Sequence, residues 1–215
     1  MSQEITLEAI KYNEPDPRKL NVFLDLDNTL LSAVPLEEMD WSEDNKKKAK
    51  DLTFHNMEDY YVIFERPGVQ EFLEYLFANY NVNVWSAASK DYVAFIVKEI
   101  IQTKPSRKLG YTFFSYHCSL SKKLCNKGIK DLRLIWEKFN IPGFDEYNTI
   151  IIDDLNKVKT INGDNCLAVP EFEFEDEKSE EDNLMERLPQ EVEACFKNLE
   201  KKKDESSITY DTQFV

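Results

Sequence analysis

Short, strongly apolar runs alternate with amphipathic runs along this chain, and this alternation most restricts how it can fold. Residues 21–25, 82–85 and 149–152 are short and apolar enough to be strands buried on both faces, and 167–169 predicts a fourth. Residues 69–80 carry apolar side chains at helical spacing. Strands and helices in this order favour an α/β fold with a central, mostly parallel sheet flanked by helices.

Other runs complete the expected order of elements. Residues 111–116 are β-like, 130–139 predict a short helix, and 184–199 predict a terminal helix with one apolar face. From Lys201 onward we expect the chain to be loosely held.

Two segments do not fit the alternation. Residues 32–54 are polar and of mixed charge and precede a strand-like run at 60–64, which predicts a small flap or β insertion after the first strand. Residues 171–182 are strongly acidic and predict a mobile loop.

Length and charge limit the functional classes. The 215 residues favour one domain over 1–215, with a core from about 18 to 200. Lys+Arg 27 against Asp+Glu 41 gives a net charge of −14, which repels nucleic acid and anionic lipid, so we expect neither as a direct partner. No apolar run is long enough for a membrane span and residues 1–4 do not resemble a signal peptide, so the nucleus or cytoplasm is the expected location.

The spacing of the four cysteines is consistent with a location in the nucleus or cytoplasm. Their spacing fits neither a zinc site nor a disulfide scaffold, so we expect reduced thiols; they are Cys118, Cys125, Cys166 and Cys195.

Polar residues stand where a parallel sheet places its ligand site, beyond the carboxyl ends of the strands. These residues are Asp25 and Asp27, Ser86, Lys130, and Asp153 and Asp154. Each alone could be a turn residue, a helix cap or a solvated side chain. Together they would bring carboxylates, a lysine and a hydroxyl to one edge of the sheet. Such carboxylates suit Mg²⁺, which in turn suits phosphoryl transfer.

At these residues the chain resembles the haloacid dehalogenase (HAD) superfamily and, within it, the Fcp/Scp-like C-terminal-domain phosphatases, also called the NLI-interacting-factor-like family. The resemblance covers most of the chain. It rests on ordered motifs, which are VFLDLDNTLL at 22–31, RPGVQEFL at 66–73, VWSAASKDY at 84–92, KDL at 130–132 and IIDD at 151–154.

The resemblance implies a Rossmann-like HAD fold with small insertions and no large cap domain. It implies Asp25 as the nucleophile that forms an aspartyl phosphate, and Asp27 as general acid and then base. The implied phosphate-binding residues are Thr29, Ser86, Ala87 and Lys130. The implied Mg²⁺ ligands are Asp25, the main-chain carbonyl of Asp27, and Asp154, while Asp153 orients Lys130 or a metal-bound water; which of the last two aspartates binds the metal directly is left open.

Two departures from the family pattern are visible. Family members commonly carry Asp-Asn where this chain has Asp153 and Asp154. They also commonly carry Arg-Glu shortly before a cysteine, whereas this chain has Ser-Tyr-His before Cys118. His117 could contact phosphate, but a lone histidine is more often a packing or surface residue, and His55 is interpreted as structural or solvent-facing.

The sequence thus favours a Mg²⁺-dependent phosphatase for phosphoserine or phosphothreonine in a protein, such as the tail of RNA polymerase II. One alternative is the same chemistry on a small phosphate monoester. The other is a non-catalytic scaffold of the same fold, which would not need Asp25, Asp27, Thr29, Lys130 and Asp154. The oligomeric state stays open.

Overall fold

The computed structural model describes residues 7–125 and 128–211. Its strands are β1 (Ile10–Lys11), β2 (Asn21–Leu24), β3 (Leu31–Pro35), β4 (Phe54–Met57), β5 (Tyr61–Glu65), β6 (Asn81–Trp85), β7 (Tyr111–Phe113), β8 (Thr149–Asp153) and β9 (Cys166–Ala168). Its α-helices are α1 (Glu43–Lys48), α2 (Val69–Asn79), α3 (Lys90–Ile96), α4 (Ser115–Cys125), α5 (Asn156–Asn162) and α6 (Leu184–Asp211).

The central sheet has six strands in the order β1-β7-β6-β2-β8-β9. Strand β2 pairs in parallel with β6 and β8, and β6–β7 and β8–β9 are also parallel. The short edge strand β1 pairs antiparallel with β7. The prediction of a mostly parallel α/β sheet is therefore confirmed, with β2 at its centre.

Strand β2 divides the core between the two faces of the sheet because successive side chains point to opposite faces. Val22 and Leu24 pack with apolar residues of α2, α3 and α6. Phe23 packs on the other side with residues of α4, α5 and the π-helical turn Leu134–Lys138. Each fully buried side chain of this kind contributes about 1.5–3 kcal/mol relative to an exposed one. Covering both faces fixes the three-layer arrangement and directs the carboxyl ends of the parallel strands to one edge.

The predicted flap is a separate small sheet. Strands β3, β5 and β4 pair antiparallel in that order, and α1 lies between β3 and β4 in sequence. The flap has its own apolar cluster, in which the ring of Phe64 stacks on that of Phe174 at 3.7 Å. Within the described residues, no large cap domain is inserted.

Two predictions of local structure need correction. The β-like run at 111–116 ends at Phe113, and α4 begins at Ser115, so His117 and Cys118 lie on a helix. The short helix predicted from Lys130 is instead a π-helical turn over Leu134–Lys138, and Lys130 precedes it with φ 54. A residue whose backbone has a positive φ lies outside the right-handed helical region, so Lys130 is not the first residue of the helix.

The acidic segment is not a free loop. Phe172 and Phe174 in it are buried, and the backbone N–H of Phe172 donates to the carbonyl of Asn28 at 2.7 Å. The segment is therefore packed against the turn that follows β2 and against the flap. Helix α6 continues past Lys201 to Asp211, and a loosely held end from Lys201 onward stays a prediction; residues 212–215 and 1–4 lie outside the described residues.

All four cysteines are free thiols, as expected. No helix among the described residues is long and apolar enough to cross a membrane.

Candidate active site

The chain turns sharply after β2 at the carboxyl edge of the sheet. The backbone N–H of Asp25 donates to the carbonyl of Ile152 at 3.0 Å, which keeps this residue attached to β8. Its side-chain Oδ1 accepts a hydrogen bond from the N–H of Leu26 at 2.8 Å. Asn28 then adopts φ 60, a left-handed conformation that asparagine tolerates better than most residues. The turn thus places Asp25 and Asp27 at the edge of the sheet.

Three carboxylates meet at this edge. One oxygen from each of Asp25, Asp153 and Asp154 lies within 4.8 Å of the other two. Asp153 ends β8, next to β2 in the sheet, and Asp154 follows it. Burial raises the pKa of Asp25 well above its ordinary value, although the nearby ammonium of Lys130 acts in the opposite direction. Buried like charges at this separation require positive charge among them.

Lys130 supplies one such charge. Its Nζ lies 2.6 Å from Asp25 Oδ2 and 2.8 Å from Asp153 Oδ2, and only 1% of its side chain is exposed. Burial lowers the pKa of Lys130, but the two carboxylates outweigh this effect and the pKa lies above its ordinary value. The ammonium group is therefore a fixed positive charge at the site.

Asp154 has a different environment. Its Oδ1 accepts a hydrogen bond from the Thr29 hydroxyl at 3.0 Å, and among the described residues no lysine or arginine pairs with it. Thr29, predicted to bind phosphate, is fully buried and its hydroxyl is used to hold Asp154.

The cluster fits a hard divalent cation. One ammonium group faces three carboxylates, so negative charge remains uncompensated, and all the candidate ligand atoms are oxygens. Carboxylate oxygens in this number suit Mg²⁺. The residues that would hold it are Asp25, Asp153 and Asp154.

Asp27 lies apart from the cluster. Its Oδ1 accepts a hydrogen bond from the hydroxyl of Tyr92. Burial raises the pKa of Asp27, whereas hydrogen bonds from Tyr92 and Ser86 act in the opposite direction. A carboxyl with a raised pKa is suited to donate a proton near neutral pH.

Ser86 and Ala87 follow β6, as predicted. Ser86 is fully buried, and its Oγ accepts a hydrogen bond from the N–H of Ala88 at 3.0 Å. Ala87 is exposed at the edge of the sheet. The turn after β6 therefore lies beside Asp27, in a position to present hydroxyl and backbone donors.

A cleft of about 610 Å³ opens on the side of Asp27. Its walls come from the turn after β2, from the flap and from the start of α3, and the lining residues include Asp27, Met57, Tyr60, Tyr61 and Tyr92. The flap thus forms one wall of the space next to the candidate proton donor.

Comparison with known proteins agrees with this geometry. Residues 20–204 match the family described as NLI interacting factor-like phosphatase. The chain is also 46% identical over 171 residues to a putative CTD phosphatase-like protein, 355R, of Invertebrate iridescent virus 6, a match that covers 78% of this chain and 94% of that protein. The chain belongs to the NLI-interacting-factor-like phosphatases.

A second viral relative and two solved structures extend the comparison. The 355R protein of Invertebrate iridescent virus 3 is 38% identical over 188 residues, which cover 84% of this chain and 98% of that protein. The structure of the fission yeast RNA polymerase II CTD phosphatase Fcp1 with beryllium fluoride matches 91% of this chain and 57% of that chain at a TM-score of 0.52 and 17% identity. A second Fcp1 structure matches at a TM-score of 0.51 and 18% identity. These likenesses show the HAD fold of this family member.

His117 does not supply the positive charge of the arginine that family members commonly carry shortly before the cysteine. His117 is fully buried in α4, its Nδ1 accepts a hydrogen bond from the N–H of Phe114 at 3.0 Å, and its ring stacks on Phe113 at 4.7 Å. Burial lowers its pKa to about 4. His117 is therefore a neutral packing residue, in agreement with the simpler of its two interpretations.

His55 has a partner that the sequence did not suggest. Its Nε2 lies 2.6 Å from Oε1 of Glu65 across the flap. This contact between β4 and β5 gives His55 a structural role.

Two residues of this phosphatase site were missed as contributors. Tyr92 stands in the sequence only as the last residue of the motif at 84–92, yet its hydroxyl reaches Asp27. Arg66 stands only as the first residue of the motif at 66–73, yet it is buried, donates to the carbonyl of Thr29 at 3.1 Å and pairs with Asp182. The signal for both was their membership in the family motifs.

Proposed function

We propose that this protein is a Mg²⁺-dependent phosphatase that removes phosphate from phosphoserine or phosphothreonine in proteins, through a phosphorylated Asp25. The observation that carries the proposal is the meeting of Asp25, Asp153 and Asp154 within 4.8 Å, with Lys130 bonded to two of them, at the carboxyl edge of the parallel sheet. This arrangement combines a nucleophile, a cation site and a fixed positive charge.

Asp25 is held ready for attack on phosphorus. The N–H of Leu26 and the ammonium of Lys130 hold its two oxygens, so the carboxylate cannot rotate freely. Attack by a carboxylate oxygen forms an acyl phosphate and breaks the bond between phosphorus and the leaving oxygen. When Mg²⁺ is bound, it supplies positive charge that lessens repulsion between the carboxylates and the phosphate dianion.

Asp27 is placed to protonate the leaving oxygen. It is separate from the acidic cluster and borders the cleft. After the leaving group departs, the same carboxylate can take a proton from the water that hydrolyses the acyl phosphate. Lys130 and the donors of the turn at Ser86 would stabilise the equatorial phosphoryl oxygens, where charge accumulates.

The substrate class rests on the shape of the cleft and on the relatives. Within the described residues the cleft has the small flap as a wall and no large cap, which leaves room for an extended peptide. The viral relatives are named CTD phosphatase-like proteins, which suggests a phosphorylated protein as the partner. The net charge of −14 disfavours direct binding to nucleic acid. We place the protein in the nucleus or cytoplasm.

A small phosphate monoester is the second candidate substrate, because the same chemistry would serve it. The matched experiment compares phosphoserine peptides with sugar and nucleotide phosphates, each with Mg²⁺ and with a chelator, and includes Asp25→Asn as the control for contaminating phosphatase. We expect Mg²⁺-dependent turnover with a higher kcat/KM for peptides. Turnover that survives complete metal removal would contradict the mechanism, and a metabolite preferred over every peptide would favour the second candidate.

A further inference from the structure

Tyr92 contacts Asp27 in a way that the function proposed above does not use. Its hydroxyl donates a hydrogen bond to Asp27 Oδ1, and the two residues lie 65 positions apart in the chain. We propose that Tyr92 is a positioning residue that determines which oxygen of Asp27 exchanges the proton with the leaving group. This inference deepens the proposed function and rests on it.

The contact between the Tyr92 hydroxyl and Asp27 Oδ1 carries the argument. Because the phenol occupies Oδ1, Oδ2 is the oxygen left to exchange a proton with the leaving group. As the bond from phosphorus to the leaving oxygen breaks, its electron pair stays on that oxygen. The O–H bond at Oδ2 then breaks, a new O–H bond forms on the leaving group, and Asp27 becomes a carboxylate. Tyr92 keeps its own proton and supports the carboxylate that results.

The packing around Tyr92 holds its hydroxyl in place. The backbone N–H of Tyr92 donates to Ser89 Oγ, the cap of α3, at 3.3 Å. The ring of Tyr61 in the flap packs edge-on against the Tyr92 ring, with centroids 5.5 Å apart and planes at 78°. Only 7% of Tyr92 is exposed. The phenol is therefore fixed both by the helix and by the flap.

A tyrosine that merely packs the core would have the same burial, so burial alone does not establish the role. The two possibilities differ in how activity depends on the leaving group. A poor leaving group, such as the alkoxide of serine, needs the proton in the transition state, whereas a nitrophenolate leaves without it. Loss of a positioned acid therefore lowers the turnover rate of the phosphoserine substrate and leaves that of the nitrophenyl ester almost unchanged.

The test compares Tyr92→Phe with the parent enzyme on a phosphoserine peptide and on p-nitrophenyl phosphate, both at saturating Mg²⁺. We expect kcat for the peptide to fall about tenfold, which is the size of one lost hydrogen bond to a charged group, and kcat for the nitrophenyl ester to fall less than about twofold. In an Asp27→Asn background, Tyr92→Phe should cause no further loss. Tyr75→Phe, which removes a hydroxyl at the α2–α6 contact, is the matched control and should change neither value.

A second measurement does not depend on activity. With tyrosine labelled at Cζ, the NMR resonance that disappears in Tyr92→Phe identifies Tyr92, and Asp27→Asn should shift it while leaving Tyr75 unchanged. Equal losses of kcat on both substrates, or a Tyr92 resonance that does not respond to Asp27→Asn, would overturn the positioning role alone. A protein that hydrolyses neither substrate while that resonance does respond would instead overturn the proposed function, and the positioning role of Tyr92 with it.

Discussion

Nζ of Lys130 lies 2.6 Å from Oδ2 of Asp25, so a buried ammonium group is in direct contact with the proposed nucleophile. The same atom lies 2.8 Å from Asp153 Oδ2. The lysine thus compensates two of the three clustered carboxylates and leaves Asp154 to the Thr29 hydroxyl and to the proposed Mg²⁺.

Replacing Lys130 by methionine should therefore affect both stability and activity. Removal of one partner from a buried ion pair typically costs about 3–5 kcal/mol, because the remaining charges are left uncompensated. We expect a lower free energy of unfolding without metal, partial recovery when Mg²⁺ is added, and a lower kcat. Urea unfolding with and without Mg²⁺ measures the first two. Lys122→Met, on the exposed face of α4, is the matched control; a Lys130→Met protein as stable and active as this control would show that Lys130 is not part of the site.

Asp25→Asn and Asp27→Asn should affect turnover differently. An amide cannot form the acyl phosphate, so Asp25→Asn should abolish turnover, and it should also weaken Mg²⁺ binding by removing one of the three clustered carboxylates. Asp27→Asn should slow turnover of phosphoserine peptides by about 10² to 10⁴-fold, the usual contribution of a general acid and base. Steady-state kinetics and calorimetric Mg²⁺ titration measure both effects. Appreciable turnover by Asp25→Asn in protein free of other phosphatases would show that Asp25 is not the nucleophile.

Most of this site could be predicted because its residues follow apolar strands that are recognisable in sequence. Asp25 follows β2 and Asp153 ends β8, and these strands are neighbours in the sheet. The contact of Tyr92 with Asp27 could not be predicted, since Tyr92 also fits the apolar stripe of α3 and its hydroxyl reaches a residue far away in sequence. The backbone conformation of Lys130 could not be predicted either, because no sequence pattern indicates a positive φ at a lysine.

Contacts between residues far apart in sequence also explain the errors in the predicted secondary structure. The residues from 111 to 116 are mainly aromatic and β-favouring, yet the strand stops at Phe113 and Ser115 begins a helix that packs on the sheet. Strand β4 alternates between exposed and half-buried residues at the edge of the flap, so it lacks an apolar signature. In both cases tertiary packing, rather than local propensity, decides the structure.

Arg66 connects the site to the acidic segment, and its loss should be costly. Its side chain is fully buried, pairs with Asp182 at 2.8 Å and donates to the carbonyls of Thr29 and Pro170. Arg66→Met would leave these groups unpaired, so we expect a loss of about 3 kcal/mol or more in the free energy of unfolding, together with weaker Mg²⁺ binding through Thr29 and Asp154.

Chemical denaturation and Mg²⁺ titration test this prediction. Arg187→Met is the matched control, because Arg187 forms an exposed pair with Glu191 at 3.6 Å and exposed pairs contribute about 0–1 kcal/mol. Equal small losses in the two variants would show that the buried arginine does not hold the site.

His117 should make stability depend on pH. Burial lowers its pKa to about 4, whereas an unfolded histidine titrates near about 6.5. Between these values the unfolded chain binds a proton that the folded chain does not, so stability is full above the unfolded pKa and falls as the pH falls. The loss from this residue should reach about 2 kcal/mol by pH 5 and about 3 kcal/mol at most.

The variant His117→Asn keeps a hydrogen-bond acceptor but does not titrate. We expect it to be less stable than the parent at pH 7, because the smaller side chain leaves a cavity beside Phe113, but to lose less stability on acidification. Urea unfolding at pH 7, 6 and 5 measures the difference between the two proteins, in which the many carboxylates common to both cancel. Parallel pH profiles would mean that His117 does not titrate as stated.

Basic residues on the flap should favour phosphopeptides over small esters. The net charge of −14 repels any acidic peptide, so binding requires local positive charge. Within the cluster from 46 to 50, Lys46 pairs with Glu43, and Lys48 donates to the carbonyls of Phe174 and Asp176. Lys47 and Lys50 are exposed, and the described part of the chain offers neither an ion-pair partner. These two lysines are therefore the ones available to a substrate.

Lys47→Gln/Lys50→Gln should raise KM for an acidic phosphoserine peptide by about twofold to tenfold, since exposed charge pairs contribute about 0.2–1 kcal/mol each, and the effect should shrink as salt is added. KM for p-nitrophenyl phosphate should not change, because Lys47 and Lys50 do not line the cleft beside Asp27. Lys122→Gln/Lys123→Gln alters the net charge equally at exposed positions of α4 and separates a local contact from the overall field. If both double variants raise KM alike, or if the flap variant affects peptide and aryl phosphate equally, the flap does not contact the substrate and a small phosphate monoester becomes the better candidate.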